Sequence, residues 1–328
     1  MNVMNQENTK PFKTHNQQLT ILRNRGLSVP SSAKRSLEQF GYYSIINGYK
    51  TLFLQRDSHG RVIHPERFIP GATFSEIQNL YDFDKKLRSI LYDYLLEYES
   101  HLGSEISYRF SEQYPEEHSY LAMDNYSRNS ALVASVVGTI SSLSNTIKTN
   151  SKKINDNAIK HYVNRHGQVP LWVLVNFLTF GDLNYFYKNS KNDLQIQIAK
   201  DFSKQFERSY RQNIAIDVKS IKTINHLVNY FRNAVAHGEI TYSMSLDRSP
   251  NFQSVKRNLR IQSLQVNSQL GVFELIIALK LVLTKKSYSK LTKEIEHLLD
   301  EYSEKFQSVE LAAILHDMNF PENYEDYI

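Results

Sequence analysis

Three residues in the second half of the chain have side chains suited to cutting an RNA backbone without a metal ion. Arg232, Asn233 and His237 form the string Arg-Asn-x3-His. An imidazole exchanges protons near neutral pH, a guanidinium binds phosphate through two donors, and an amide can orient either group. Such cleavage requires that the 2′-hydroxyl lose a proton, that the 5′-oxygen gain one, and that charge on the phosphorane be stabilised. We take these residues as the candidate catalytic set.

The segment from Asp217 to Tyr242 predicts one amphipathic helix that carries all three residues. Asp217 is the predicted N-cap, and Gly238 is the predicted C-terminal end because a left-handed residue there favours glycine. At 100° per residue the apolar side chains fall on one arc, which predicts a core-facing stripe. The arc comprises Ile221, Ile224, Leu227, Val228, Phe231, Ala234 and Val235.

The opposite half of this helix carries hydrogen-bonding side chains and no carboxylate. Asn233 and His237 are four residues apart and share a face, while Arg232 lies at the edge of the apolar arc, where packing can orient its guanidinium. Such a face suits an anion, and Asn229 is a further predicted RNA contact. The polar half comprises Lys222, Asn225, His226, Asn229, Arg232, Asn233 and His237.

The Arg-Asn-x3-His string is short, and a polar stripe on a core helix is the competing interpretation. It resembles the Arg-x4–6-His signature of HEPN ribonucleases, with Asn233 as the polar residue that often follows the arginine. Longer blocks resemble the Abi family of abortive-infection proteins, of the AbiD/AbiF type. Besides the helix ending RNAVAH, these blocks are Lys10–Leu27, Phe40–Leu54, Gly71–Leu91, Pro170–Tyr187 and Met318–Tyr324, in family order.

This resemblance implies a metal-independent endoribonuclease that acts as a toxin in phage defence and leaves 2′,3′-cyclic phosphate and 5′-hydroxyl ends. Members of the AbiF kind are associated with a small non-coding RNA, so a neutralising RNA is an expected partner. The resemblance also implies an arginine near Gly103, four residues after Glu99, on a helix packed across the catalytic helix. Because glycine stands there, Arg88 and Arg109 are the candidates to replace it.

Composition bounds the class of protein. The net charge is +5 and the isoelectric point is about 9.0, which favours an acidic partner. The absence of cysteine excludes disulfides and thiolate metal sites and fits a reducing cytoplasm. No signal-peptide pattern begins the chain, and the most apolar run, Val272–Leu283, is too short to span a bilayer, so we expect no membrane partner.

No motif for a cofactor or a metal is visible, and we expect neither. His59 and His64 are five residues apart without carboxylates at ligand spacing. Gly-rich phosphate loops, nucleophile elbows and paired carboxylates are also missing, which leaves the Arg/Asn/His face as the candidate site.

Apolar periodicity predicts an all-α protein, with an N-terminal helical arm over residues 1–70 and a HEPN-like helical domain over residues 71–328. The longest predicted helix, Phe74–Phe110, has a core-facing stripe that repeats at three and four residues. The other predicted helices are two within residues 15–56, then Ala131–Ile147, Pro170–Tyr187, Leu194–Phe206, Val272–Thr284, Tyr288–Gln307 and Val309–Asp317.

Three basic segments are candidates for nucleic-acid contact. A turn-rich loop after the catalytic helix suits phosphate contacts, although a solvated loop is the equal alternative; it carries Arg248, Lys256, Arg257 and Arg260. The N-terminal helices are basic, but a packing arm is the favoured interpretation because no base-reading pattern is present. His161–Trp172 could stack an unpaired base, whereas a solvated loop before a buried tryptophan is the commoner pattern.

Each chain supplies one Arg-Asn-x3-His set, whereas a general acid and a general base must flank the scissile phosphate. A homodimer with two faces across a two-fold axis would supply both, so a homodimer is the predicted active species. The alternative function is a non-catalytic RNA-binding or scaffold protein that uses the same face to hold its partner.

Overall fold

The computed structural model describes residues 11–248 and 250–328. Within these ranges the regular structure is helical, and β-pairing is limited to isolated bridges. The predicted all-α class is confirmed. The helices are α1 His15–Asn24, α2 Ala33–Phe40, α3 Phe74–Gln113, α4 Val133–Ser151, α5 Ala158–His166, α6 Leu171–Leu174, α7 Phe180–Asn189, α8 Asn192–Tyr210, α9 Val218–His237, α10 Gln253–Leu259, α11 Val272–Leu279, α12 Lys285–Tyr302 and α13 Leu311–Asp317.

The sequence predicts one continuous helix over Pro170–Tyr187, and this prediction is wrong because the helix is interrupted. The chain forms α6, a 3-10 turn at Val175–Phe177, and then α7. The second helix starts anew because Thr179 and Asp182 form a capping box, in which each side chain accepts a hydrogen bond from the backbone N–H of the other residue. The break leaves Trp172 on the short helix α6 and places Asn176 on the turn that connects α6 to α7.

The chain divides into two compact units. The smaller unit comprises the chain up to Lys86 together with His297–Ile314. In it, the Tyr49 hydroxyl donates to the buried Asp84 carboxylate over 2.6 Å. The Glu76 carboxylate accepts hydrogen bonds from the backbone N–H groups of Gln307 and Ser308, which lowers the pKa of Glu76 although burial opposes that change.

The larger unit comprises Leu87–Glu296 with Leu315–Ile328, and α9 lies in its core. This helix packs against α7, α8, α10 and α11. All seven side chains of the predicted apolar arc are buried, which confirms the core-facing stripe. Burial of that arc fixes the rotation of α9 about its axis and therefore decides which of its polar residues face outward.

Both predicted ends of α9 are confirmed. Asp217 is the N-cap and accepts a hydrogen bond from the N–H of Ser220 over 2.7 Å. Gly238 is the C-cap with φ of 70°, in the left-handed region that favours glycine. His237 is consequently the last helical residue.

We expect Phe231→Ala to lower the free energy of unfolding by about 3–5 kcal/mol, because Phe231 is fully buried on the apolar arc and its removal leaves a cavity. Chemical denaturation followed by circular dichroism measures the change. Lys219→Ala, at an exposed position on the same helix, is the matched control and should stay within about 0.5 kcal/mol. Equal effects from the two variants would contradict the packing described for α9.

Candidate functional site

Arg232 projects from α9 into an ion pair with Glu99 of α3. The guanidinium Nε lies 3.0 Å from one carboxylate oxygen of Glu99, and Nη2 lies 3.4 Å from the other. Both side chains are mostly shielded from solvent, with 22% of Arg232 and 14% of Glu99 exposed. A paired contact of this kind fixes the plane of the guanidinium as well as its position.

Glu99 contacts the catalytic-set arginine directly, a role that the sequence did not predict. The signal available in the sequence was its place beside Tyr98, whose side chain lies on the buried stripe of α3. Arg88 and Arg109, the candidate replacements for the expected arginine near Gly103, stay predictions, and each has contacts of its own. Arg109 pairs with Asp201 and Glu112, and Arg88 donates to the backbone carbonyl of Glu239, beyond the end of α9.

Asn233 and His237 are both exposed on the last two turns of α9. Arg232 precedes Asn233 and is held at the boundary between the buried arc and the solvent. The structure therefore brings the three candidate catalytic residues to the surface at one end of a helix that is otherwise anchored in the core. We call this surface the α9 terminal face: Arg232, Asn233 and His237, with Glu99 behind Arg232.

Two asparagines assigned to the polar half of α9 point inward instead. Asn225 is fully buried, and its side-chain oxygen accepts a hydrogen bond from the Tyr98 hydroxyl over 2.5 Å. The side-chain oxygen of Asn229, a predicted RNA contact, is buried against α7, where a Cβ on Gly181 would lie 3.5 Å from it. The residue as a whole is half-buried, so Asn229 as an RNA contact stays a prediction that only its amide nitrogen could meet. Residues at the border of a helical arc are turned in or out by their neighbours.

A cluster of cationic side chains lies on α7 and α9, toward the middle of the helix. Burial lowers the pKa of the Lys222 ammonium, and the charge of Lys188 lowers it further. The pKa of His226 is lowered by the same two causes in the same order. The charge of Lys188 thus disfavours the charged forms of Lys222 and His226, and an anion placed beside them would offset that effect.

The segment after α9 differs from the predicted loop. Part of it forms α10, and Lys256 on this helix is buried, with its ammonium donating to the carbonyl of Leu264. Lys256 is therefore not available to a phosphate, and that assignment is wrong. Arg248, Arg257 and Arg260 are exposed; Arg257 lies 3.5 Å from Asp217, and Arg260 donates weakly to the carbonyl of Asn213.

Within residues 11–248 and 250–328, no group of three or more His, Asp and Glu side chains is placed to hold a metal ion. In the N-terminal segment, Arg25 and Lys50 both pair with Glu66, at 2.8 and 2.7 Å. These contacts show part of its basic charge used in packing within the smaller unit.

Trp172, expected to be buried, is 58% exposed, so that expectation is wrong. By contrast α11, the centre of the predicted buried apolar run, is buried along its whole length. One helix of the described chain, Ser130–Ser151, is long and apolar enough by length and composition to cross a bilayer. A single helix of this kind is weak evidence, because helices of soluble proteins pass the same test.

Fold and surface together define an all-α protein with a cationic and amide-bearing face at the end of a core helix. A family model described as "Abi-like protein" matches residues 35–243, more than half of the chain and all of α9. The chain belongs to this Abi-like family, and membership indicates a role in abortive infection, an antiviral defence. No curated protein and no solved structure matches the chain.

We expect Tyr98→Phe to lower the free energy of unfolding by about 1–3 kcal/mol, because the buried amide of Asn225 would lose the only donor that its oxygen has in the described chain. Denaturant titration measures the change. Tyr108→Phe, which removes an exposed hydroxyl from the same helix, is the control and should be close to neutral. A neutral Tyr98→Phe variant would show that this hydrogen bond contributes nothing net.

Proposed function

We propose that this protein is a metal-independent endoribonuclease of the HEPN type that acts as a growth-arresting toxin in abortive infection. One observation carries the proposal: an exposed imidazole, His237, and an exposed amide, Asn233, lie on the last two turns of the helix that also carries Arg232, whose guanidinium Glu99 holds in place. These groups can move a proton, orient a ligand and stabilise negative charge, which are the requirements of RNA transesterification.

In the proposed reaction a general base removes the proton of the 2′-hydroxyl, and the 2′-oxygen attacks the adjacent phosphorus. The new O2′–P bond forms as the P–O5′ bond breaks, and a general acid gives the departing 5′-oxygen its proton. The products are a 2′,3′-cyclic phosphate and a 5′-hydroxyl. His237 supplies the proton-transfer group, and Arg232 stabilises the negative charge of the phosphorane.

Glu99 acts in this scheme as a positioning residue. It takes Nε–H and one N–H of Nη2, so the remaining donors of the guanidinium are left for a phosphate. The pair also lowers the net charge of the empty site, which reduces the repulsion that unpaired arginines would cause if two faces met. Preorganised donors of this kind stabilise a transition state without being reoriented during the reaction.

Charges along α9 extend the site into a track for an RNA backbone. Lys188, Lys222 and His226 form one part of it, and an anionic ligand would offset the effect of the Lys188 charge on the other two groups. Arg248, Arg257 and Arg260, exposed after α9, are further candidates for phosphate contacts. Binding through such contacts weakens steeply as salt concentration rises, because bound phosphates release counterions.

We expect His237→Ala to reduce RNA cleavage by about 10²- to 10⁴-fold, the usual contribution of a general acid or base, and to abolish toxicity. Because His237 is exposed, thermal stability should change by no more than about 1 kcal/mol. Gel assays of purified protein and growth curves of induced cells measure both effects. His316→Ala removes an equally exposed histidine from α13 and should remain fully active.

Arg232→Ala should also abolish cleavage, but it leaves the carboxylate of Glu99 shielded and unpaired. The double variant Glu99→Gln/Arg232→Ala removes that charge and separates misfolding from loss of the guanidinium. An inactive double variant with restored stability supports a direct role for Arg232. If the His237→Ala variant is stable and fully active, the catalytic assignment of His237 is wrong. If the double variant is fully active, the assignment of Arg232 is wrong.

The chemistry of the RNA ends tests the reaction itself. With excess EDTA present, we expect the protein to leave 2′,3′-cyclic phosphate and 5′-hydroxyl ends, because the attacking oxygen belongs to the RNA and the proton-transfer group to His237. Sensitivity of the products to polynucleotide kinase, with and without phosphatase treatment, distinguishes the possible ends. Products with 5′-phosphates, or cleavage that requires magnesium, would contradict the mechanism.

The proposed active species is a homodimer in which two α9 terminal faces flank one phosphate, because a two-fold axis would supply two copies of His237. Mixing inactive His237→Ala chains with wild-type chains should then depress activity below the fraction of wild-type protein. Activity measured across a series of mixing ratios reports this directly. A strictly proportional response, or full activity of a monomer, would show that one face suffices.

The Glu99–Arg232 pair also fits a second function, in which the face holds RNA or a protein partner without cutting. A phosphate would have to share the guanidinium with a carboxylate that already occupies two of its donors. RNA binding without cleavage in the EDTA assay would favour this function.

If the protein is a toxin, as proposed first, its proposed neutralising partner is a small non-coding RNA that occupies the same basic track.

A further inference from the structure

A cleft lies directly beside the α9 terminal face and is not used by the mechanism above. One wall is the stretch of α3 from Leu96 to Ser107, and the other is the chain from Trp172 to Leu183. The cleft has a volume of about 460 Å³, within the range of small-molecule sites in proteins. Gly103 lies on the α3 wall, where a Cβ would be 3.5–3.7 Å from Leu183 and Val175, so the two walls approach each other closely at this glycine.

The cleft and the catalytic face share one residue. Glu99 lines the cleft and also pairs with Arg232. A nucleotide whose phosphate lies against Arg232 would therefore have the cleft within reach of its own base or of its neighbour's base. This continuity ties the occupant of the cleft to the ligand of the site.

The lining chemistry suits a neutral, flat ligand with hydrogen-bonding edges. Glu99 is the one charged lining residue, and its charge is balanced by Arg232. Ser100 and Ser104 present exposed hydroxyl groups, while the amide nitrogen of Asn176 donates to the carbonyl of Trp172 over 2.9 Å and leaves the amide oxygen as an acceptor. A phosphate would find no cation here beyond Arg232, whereas a nucleobase would find donors and acceptors.

Trp172 supplies the remaining requirement, a flat aromatic surface open to solvent. Its side chain is 58% exposed and lines the cleft from α6, the short helix that precedes the turn into α7. Stacking of an unpaired base on an aromatic side chain is the main source of affinity in many single-stranded RNA sites.

We propose that this cleft binds one unpaired nucleobase of a single-stranded RNA, stacked on Trp172 and hydrogen-bonded to the hydroxyls of Ser100 and Ser104 and to the amide oxygen of Asn176, which accepts. The proposal rests on the proposed function for its choice of RNA as ligand, and it names unpaired RNA as the substrate class. A base held there would place a neighbouring phosphodiester against Arg232 and His237.

Trp172 is the single tryptophan of the chain, so its fluorescence reports on the cleft directly. The probe is a short single-stranded RNA, 2′-O-methylated throughout so that it cannot be cleaved; a chain of equal length with abasic sugars is the comparison. We expect the first to quench Trp172 and to protect it from iodide, and the abasic chain to do neither. Equal quenching by both chains would mean that only the backbone binds, and would overturn the proposal.

Variants test the stacking surface by anisotropy of labelled RNA. Trp172→Ala should raise the Kd by about five- to a hundredfold, while Trp172→Phe should retain most of the affinity. Tyr185→Ala removes another exposed aromatic residue that does not line this cleft and should leave the Kd unchanged. If Trp172→Ala instead alters the sedimentation of the protein and not its RNA affinity, Trp172 contacts protein and the proposal fails.

Ser104→Leu provides a second variant that leaves Trp172 in place and fills the cleft from the exposed side of α3. Quenching by the methylated RNA should then disappear, and full quenching would place the base elsewhere. Neither measurement depends on cleavage. If the RNA quenches Trp172 but the protein never cuts RNA, the proposed nuclease activity is refuted and base binding in the cleft is supported. If the protein cuts RNA without quenching, only the proposal of base binding in the cleft is refuted.

Discussion

Burial of one apolar arc on α9 is the constraint on which the rest of the site depends. Four helices pack against this arc, so the helix cannot rotate without exposing apolar side chains such as Phe231 and Leu227. Its two ends are fixed as well, by the Asp217 cap and by the left-handed Gly238. Asn233 and His237 are exposed because every alternative rotation of the helix would cost burial.

Polar residues at the border of that arc differ in whether their side chains are buried or reach the surface. Asn225 lies in the core, where its side-chain oxygen accepts a hydrogen bond from Tyr98, whereas Arg232 reaches the edge and pairs with Glu99. Both partners lie on α3 and are adjacent in sequence, so one turn of α3 secures two positions of α9. Rigid support of this kind gives a surface guanidinium the defined orientation that an exposed arginine lacks.

Charge is distributed so that the site attracts an anion without carrying a large unpaired excess. Arg232 is neutralised by Glu99, while the charge of Lys188 on α7 lowers the pKa of Lys222 and of His226 on α9, after burial as the larger cause. The cleft beside Glu99 adds an uncharged surface with an exposed indole. In the function we propose, the cationic track would contact the RNA backbone, the paired arginine the scissile phosphate, and the neutral cleft a base.

The sequence alone determined the helical class, the bounds of α9, its buried arc and the Abi-like family, because periodicity, capping residues and family blocks are local features of the chain. Tertiary packing decided which residue contacts Arg232. Its partner, Glu99, is 133 residues away in the sequence, and no local pattern encodes a contact between distant helices. It also buried Lys256 and Asn225 and exposed Trp172, against expectation. Polarity predicts exposure only on average; a buried polar group is tolerated wherever a distant partner satisfies it.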